Sequence, residues 1–360
     1  MHRLARVLLV LCVFVLAVSS QSAWHVNSAP SACPPDCPVY LPMAKKPGIP
    51  LKIGLVTDIG GIHEETFDQP AWQAVLDAEA KLGSTGAYLE SVSQDDYTPN
   101  INSFISQGYD LIITVGYTMG DATKAAAQAN PTKKFTIVDF SYDPILPNVL
   151  SQTYASEQPS FLCGYLAAGM TATGKVATFG GMNILPVTQY MDGYYQGVTY
   201  YNLQNGTSVE VLGWDPVTRE GEFTNDFNNQ PAGNAMAVKL LGEGADIIFP
   251  VAGPTGLGAA QAVQWEGDAW VIGVDNDWTL TAPEYASVVL TSATKNARTT
   301  TYGVIYQAYR NNFTGGNYEG TLANEGLGLG TIASSVPPAL LTEVEEVKED
   351  IIEGTIVVNP

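Results

Sequence analysis

Short apolar runs alternate with helical periodicities along most of this chain, and that predicts an α/β protein. The expected architecture is two Rossmann-like lobes, each with a parallel sheet, facing one another across a cleft. Three observations carry the expectation. Runs such as Leu51–Thr57, Asp110–Val115 and Asp246–Val251 alternate with amphipathic segments, the pattern of parallel strands covered on both faces. The succession begins again after Ala155, and a length of 360 residues exceeds one ordinary core. The apolar runs also end on carboxylates or glycines, at the strand ends where open α/β sheets hold ligands.

In order, Leu51–Thr57 reads as strand, Gln69–Leu82 as helix, Ala87–Val92 as strand and Thr98–Gln107 as helix. Asp110–Val115 follows as strand, Asp121–Gln128 as helix, and Lys134–Val138 and Val149–Thr153 as strands. The second half repeats the type with helices over Gln158–Thr171, Val187–Leu203, Ala232–Gly242 and Gly256–Trp265. Its strands are Lys175–Phe179, Ser208–Leu212, Asp246–Val251 and Ala269–Val274, with Gly213–Gln230 irregular. Ser287–Leu290 then reads as strand, Lys295–Asn311 as a long helix, the following Gly/Asn-rich stretch as a hairpin, and Pro338–Ile352 as the last helix. These closing elements are too few for a third domain. They are expected to return to both lobes, giving one lobe of residues 51–155 plus about 292–320 and another of 156–291 plus about 321–360.

The N-terminus points to export. Arg3 and Arg6 precede the apolar run Val7–Val18, and Ser19, Ser20, Ser22 and Ala23 follow. That is the pattern of a secretory signal peptide over residues 1–23, the run being short for a membrane span. Residues 24–50 are rich in proline and serine without periodicity and read as a linker. Cys12 would leave with the peptide, and an oxidising compartment permits Cys33 and Cys37 to pair locally. No leucine-led lipobox precedes a cysteine at the end of the apolar run. With 16 basic against 36 acidic residues the net charge is −20, which opposes nucleic acid and anionic membrane surfaces and favours a neutral or cationic ligand.

The candidate chemistry sits at strand ends from both halves: Asp58, Gly116-Tyr117, Asp139, Gly180-Gly181, Gly253 and Asp275-Asn276-Asp277. Polar groups so placed converge on one cleft. Asp58 offers hydrogen-bond acceptors to a polar ligand and Phe67, on the same loop, a flat face for stacking. Taken singly, each aspartate is equally readable as a helix cap, and Phe227 as core. Lys295 reads also as a solvated residue at a helix start. GPTGLG has the wrong spacing for a dinucleotide fingerprint, and Asp275 with Asp277 lacks the further oxygen ligands of a calcium site, so no metal or cofactor is expected.

The blocks TDIGGIHEETFDQPAW, EQPSFLCGYLAAGM, KVATFGGM, GADIIFPVAGPTGLG, WVIGVDNDW and VVLTSATK occur in this order. Together they resemble the basic membrane protein family of ABC-transporter substrate-binding proteins, from Leu51 to the C-terminus. The resemblance implies the type I periplasmic-binding-protein fold and a ligand that is a nucleoside, mainly a purine one. It also implies a permease and an ATPase as partners, an extracytoplasmic location peripheral to the membrane, and a monomer.

Carried over by motif, Asp58 and Phe67 would contact the nucleoside, with Phe67 stacking on the base, and Asp139 would read the base edge. Phe227 would be the second stacking aromatic, with Phe223 as competitor. Gly253 would admit the ligand to the backbone, Asp277 in preference to Asp275 would bind ribose, and Lys295 would lie near it. Asp68 departs from the family's usual Asn, and His63 and Glu64 fall where polar residues are common. An enzyme is the competing class. The chain holds only His2, His25 and His63, so a serine triad or histidine zinc site is hard to build, and a hydrolase would have to run on carboxylates. A sensor presenting its ligand to a receptor would share the binder's surfaces.

Overall fold

The computed structural model describes residues 48–59, 61–62 and 67–359. The signal-peptide and linker readings up to Pro47, with Cys12, Cys33 and Cys37, lie outside the described residues, as do Gly60, His63 and Glu64. Pro47–Pro360 forms one compact unit, and within it the chain builds two six-stranded sheets of the same winding.

The first sheet begins with β1 (Lys52–Thr57), α1 (Gln69–Leu82), β2 (Thr85–Leu89), α2 (Tyr97–Ser106), β3 (Leu111–Val115), α3 (Gly120–Ala129), β4 (Lys134–Val138) and β5 (Val149–Tyr154). The chain then passes through α4 (Glu157–Met170) to β6 (Lys175–Gly180), α5 (Leu185–Asn205), β7 (Glu210–Leu212) and a small antiparallel pair, β8 (Trp214–Asp215) with β9 (Glu220–Gly221). It continues with α6 (Gln230–Gly242), β10 (Ile247–Val251), α7 (Thr255–Glu266), β11 (Trp270–Asp275), α8 (Trp278–Thr281) and β12 (Val289–Lys295). The last elements are α9 (Ala297–Tyr309), β13 (Gly316–Gly320), β14 (Leu327–Leu329) and α10 (Pro338–Ile352).

Strand order is β13-β5-β4-β3-β1-β2 in the first sheet and β14-β12-β11-β10-β6-β7 in the second. All pairings within these two sheets are parallel except β12 with β14. Each sheet reverses its winding between the strand that opens it and the third, β1 beside β3 and β6 beside β10. Such a reversal leaves a crevice at the carboxyl ends of the strands.

Three places depart from the sequence expectation. Lys295 ends β12 rather than starting a helix. The helix begins at Ala297, where the Asn296 side chain accepts from the Thr299 N–H at 3.4 Å. The run VLTSATK is buried on both faces and rich in β-branched and small residues, so it lacks the alternation that would have extended the strand past Leu290. The Gly/Asn-rich stretch forms no hairpin: β13 pairs with β5 in the first sheet and β14 with β12 in the second. The segment after β7, read as irregular, contains the β8–β9 pair, with Phe223 bridged to Gly180.

Helix pairs pack closely where glycine removes a side chain. A Cβ at Gly164 would stand 2.1 Å from the carbonyl oxygen of Tyr194, and one at Gly193 2.2 Å from that of Glu157. These contacts lock α4 against α5 and fix the direction from which α5 enters the cleft.

Candidate ligand-binding site

One cavity lies between the carboxyl ends of the two sheets, with about 630 Å³ of empty space, part of it open to solvent. Its first-sheet wall includes Asp58 after β1, Phe67 and Asp68 before α1, and Asp139 after β4. The second-sheet wall includes Tyr190 on α5, Phe227 before α6, Gly253 after β10, Asp275 ending β11 and Lys295 ending β12.

The geometry is built around Lys295. Its side chain is 3% exposed, and Nζ lies 2.7 Å from Oδ2 of Asp139 and 3.5 Å from Oδ1 of Asp275. The rings of Phe67, Tyr190 and Tyr154 stand 5.0, 5.1 and 5.5 Å from the ammonium, within cation–π range. Burial works against the charge on Lys295, but the carboxylates of Asp139 and Asp275 outweigh it and raise its pKa above the ordinary lysine value. Asp139 moves up as well: burial raises it more than the ammonium lowers it. The Tyr190 hydroxyl donates to Oδ1 of Asp275 at 3.2 Å. Because Lys295 and Asp139 belong to different sheets, this ion pair bridges the cleft.

Backbone conformation aims the two carboxylates. Asp139 has φ 65° and Asp275 φ 64°, a left-handed region that non-glycine residues seldom occupy and that Asp tolerates better than most. The turn swings each side chain inward from its strand end. Gly116, at φ 120°, makes room beside β1, since a Cβ there would meet Oδ2 of Asp58 at 2.4 Å. Gly181 does the same for Phe227, whose ring would lie 2.2 Å from an added Cβ.

Of the residues singled out in the sequence, the cavity brings together Asp58, Phe67, Asp139, Phe227, Gly253, Asp275 and Lys295. Asp277 is not among its lining residues. Its Oδ1 accepts from the N–H and Oγ1 of Thr279, capping α8, and its Oδ2 accepts from the N–H and Oγ1 of Thr331 at 2.8 and 2.7 Å. Partial burial pushes that carboxyl up, but these hydrogen bonds prevail and hold it below the ordinary range. Phe223, the alternative aromatic, packs edge-on against Trp214 and over Gly180. Tyr190 carries no sequence signal of a site, because within α5 it reads as an ordinary core aromatic. Pro186, in the first turn of α5, is a weak signal that this helix begins at the cavity.

Among the described residues no group of three or more His, Cys, Asp or Glu is placed to hold a metal ion, and no helix is long and apolar enough to cross a membrane.

Two doubly wound sheets enclosing an aromatic and carboxylate cavity define the periplasmic-binding-protein class. The fold is shared with a crystal structure of ABC transporter system solute-binding proteins from Aeropyrum pernix K1. That likeness has a TM-score of 0.77 at 24% identity, covering 86% of this chain and 94% of that one. Residues 51–359 match the family described as ABC transporter substrate-binding protein, PnrA-like, and the chain belongs to that family. Among its relatives, the ABC transporter nucleoside-binding protein BmpA of Lactococcus lactis subsp. cremoris (strain MG1363) is 32% identical, over 86% of this chain and 89% of that protein. Basic membrane protein A of Borreliella burgdorferi (strain ATCC 35210 / DSM 4680 / CIP 102532 / B31) is 29% identical, over 85% of this chain and 87% of that protein. The chain is a substrate-binding protein of an ABC transporter and not an enzyme.

Proposed function

We propose that the chain binds a purine nucleoside in this cavity, outside the cytoplasm, and delivers it as a monomer to a permease driven by an ATPase. The observation that carries the reading is the Lys295 bridge to Asp139 and Asp275 among aromatic rings, since it joins charged acceptors to flat stacking faces in one cavity. Phe67 comes from the first sheet's side and Phe227 from the second's, so a planar base held by both couples the two walls. In this account Asp139 reads the base edge. Asp275 binds the ribose hydroxyls, because Asp277 already has both oxygens occupied by threonines. The nucleoside-binding name of the Lactococcus relative supports the ligand class.

A thermal-shift panel of nucleosides, free bases, sugars and amino acids tests this reading. A purine nucleoside at 100 times its Kd is expected to add about 2.7 kcal/mol of apparent stability. Its free base is expected to add less. A panel in which no nucleoside moves the melting curve refutes the ligand assignment.

A further inference from the structure

The cavity has two distinct ends. Asp139, Asp275 and Lys295 stand at the carboxyl ends of β4, β11 and β12 and mark one of them. Asp58, Tyr117 and Ile184 follow β1, β3 and β6, farther along the two strand orders toward β2 and β7, and line the other. At that second end the cavity continues into another hollow, for Asp58, Tyr117, Ile184 and Phe227 line both. The hollow has about 740 Å³ of empty space, part of it open to solvent, against about 630 Å³ in the cavity, so a substituent of several heavy atoms has room there. Its wall joins Ile59, Met182 and Ile184 to the aromatic residues Tyr97, Tyr117 and Phe227. Polar groups among them are already engaged within the protein. The Tyr97 hydroxyl and Oγ1 of Thr118 are bonded at 2.9 Å, and Oδ1 of Asp226 accepts from the Asn228 N–H at 2.8 Å. Two of the lining residues, Asp58 and Asp226, are acidic, and among the described residues no lysine or arginine lines the hollow. An occupant therefore meets apolar contact and a field that disfavours anions.

We propose that this hollow is a subsite for a substituent on the base, and that the chain accepts purine nucleosides carrying an aryl or branched alkyl group on the 6-amino nitrogen. This rests on the nucleoside reading. A purine carries its sugar on the five-membered ring, so with the ribose at Asp275 the six-membered ring points toward Asp58 and Tyr117. A group on the 6-amino nitrogen then passes the four residues that the two spaces share and enters the hollow. There the unbranched, polarizable side chain of Met182 adapts to its shape, and the aromatic residues offer ring faces and edges to an aryl group.

The test titrates the protein and two variants, Met182→Trp and Gln94→Trp, which fill the hollow from the second and the first sheet and leave the lining of the nucleoside cavity intact. The probes are adenosine, 6-(benzylamino)purine riboside and 6-(carboxymethylamino)purine riboside. Wild type is expected to bind the benzyl compound about tenfold tighter than adenosine in calorimetry, as partial burial of one aromatic ring supplies. The anionic carboxymethyl compound is expected to bind more weakly than adenosine. Both variants are expected to bind adenosine as wild type does, which also reports that they are folded, and to lose the benzyl gain. Adenosine binding with no benzyl gain in wild type, or a gain that survives in both variants, overturns the subsite and leaves the nucleoside reading standing. Should wild type bind no purine nucleoside, substituted or not, the nucleoside reading itself fails and the subsite falls with it.

Discussion

The ammonium of Lys295 is tolerable out of water because two carboxylates face it. Removing one member of such a group leaves the others charged and buried, at a cost of about 3–5 kcal/mol. Lys295→Met is therefore expected to lower the denaturation midpoint and to abolish nucleoside binding, both read from urea titrations with and without ligand. Asp68 acts on stability with the opposite sign. Its folded-state pKa lies above the unfolded one, so the folded state holds a proton that the unfolded chain has released. Stability contributed by this group is full below the ordinary aspartate pKa of the unfolded chain and is lost as pH rises through the higher folded-state pKa. Asp68→Asn should accordingly melt higher than wild type at neutral pH, with the advantage vanishing in acid. Equal melting points at both pH values would contradict this. Asp275 and Asp277 separate by role: Asp275→Ala should erase the preference for nucleoside over free base. Asp277→Ala should cost about 1 kcal/mol of stability through the lost cap and leave that preference intact. In sequence the two carboxylates are separated by a single residue, and the family motif favours Asp277 for the ribose. The left-handed turn at Asp275 and the threonines around Asp277, one of them far along the chain, make the difference.

Elements were legible where local pattern and tertiary environment agree. β4 and α10 occupy Lys134–Val138 and Pro338–Ile352, the segments expected from their apolar period. β12 was cut short because burial on both faces erased its alternation, and its true end is what carries Lys295 into the cavity. β13 and β14 lie close in sequence but in different sheets, a choice made by distant partners and invisible to local signals. The α4–α5 contact is a further long-range feature. A Cβ at Gly197 would approach the Phe161 carbonyl oxygen to 2.0 Å. Gly197→Ala should thus force the helices apart, destabilise the protein by about 1–3 kcal/mol, and weaken ligand binding by displacing Tyr190 on the same helix. Chemical denaturation and calorimetry read the two effects separately.

Across the whole molecule, the chain joins its two sheets through α4, through the passage from β12 to α9, and between β13 and β14. Connections of this kind suit rigid-body opening and closing about a few linker residues, and a ligand gripped by both walls would favour closure. Solution scattering is expected to show a smaller radius of gyration on adding the nucleoside. The doubled α/β pattern, the strand-end carboxylates and the family blocks made this architecture readable from sequence, whereas the wall residue on α5 and the burial of Asp68 depend on packing. The most direct measurement is titration calorimetry of wild type and Phe67→Ala with a purine nucleoside, its free base and ribose. The account predicts saturable binding of the nucleoside, weaker binding of the base, none of ribose alone, and a loss of about 1–3 kcal/mol for nucleoside and base alike in Phe67→Ala. Heats no larger than dilution for every purine, or nucleoside binding unchanged by Phe67→Ala, would contradict it.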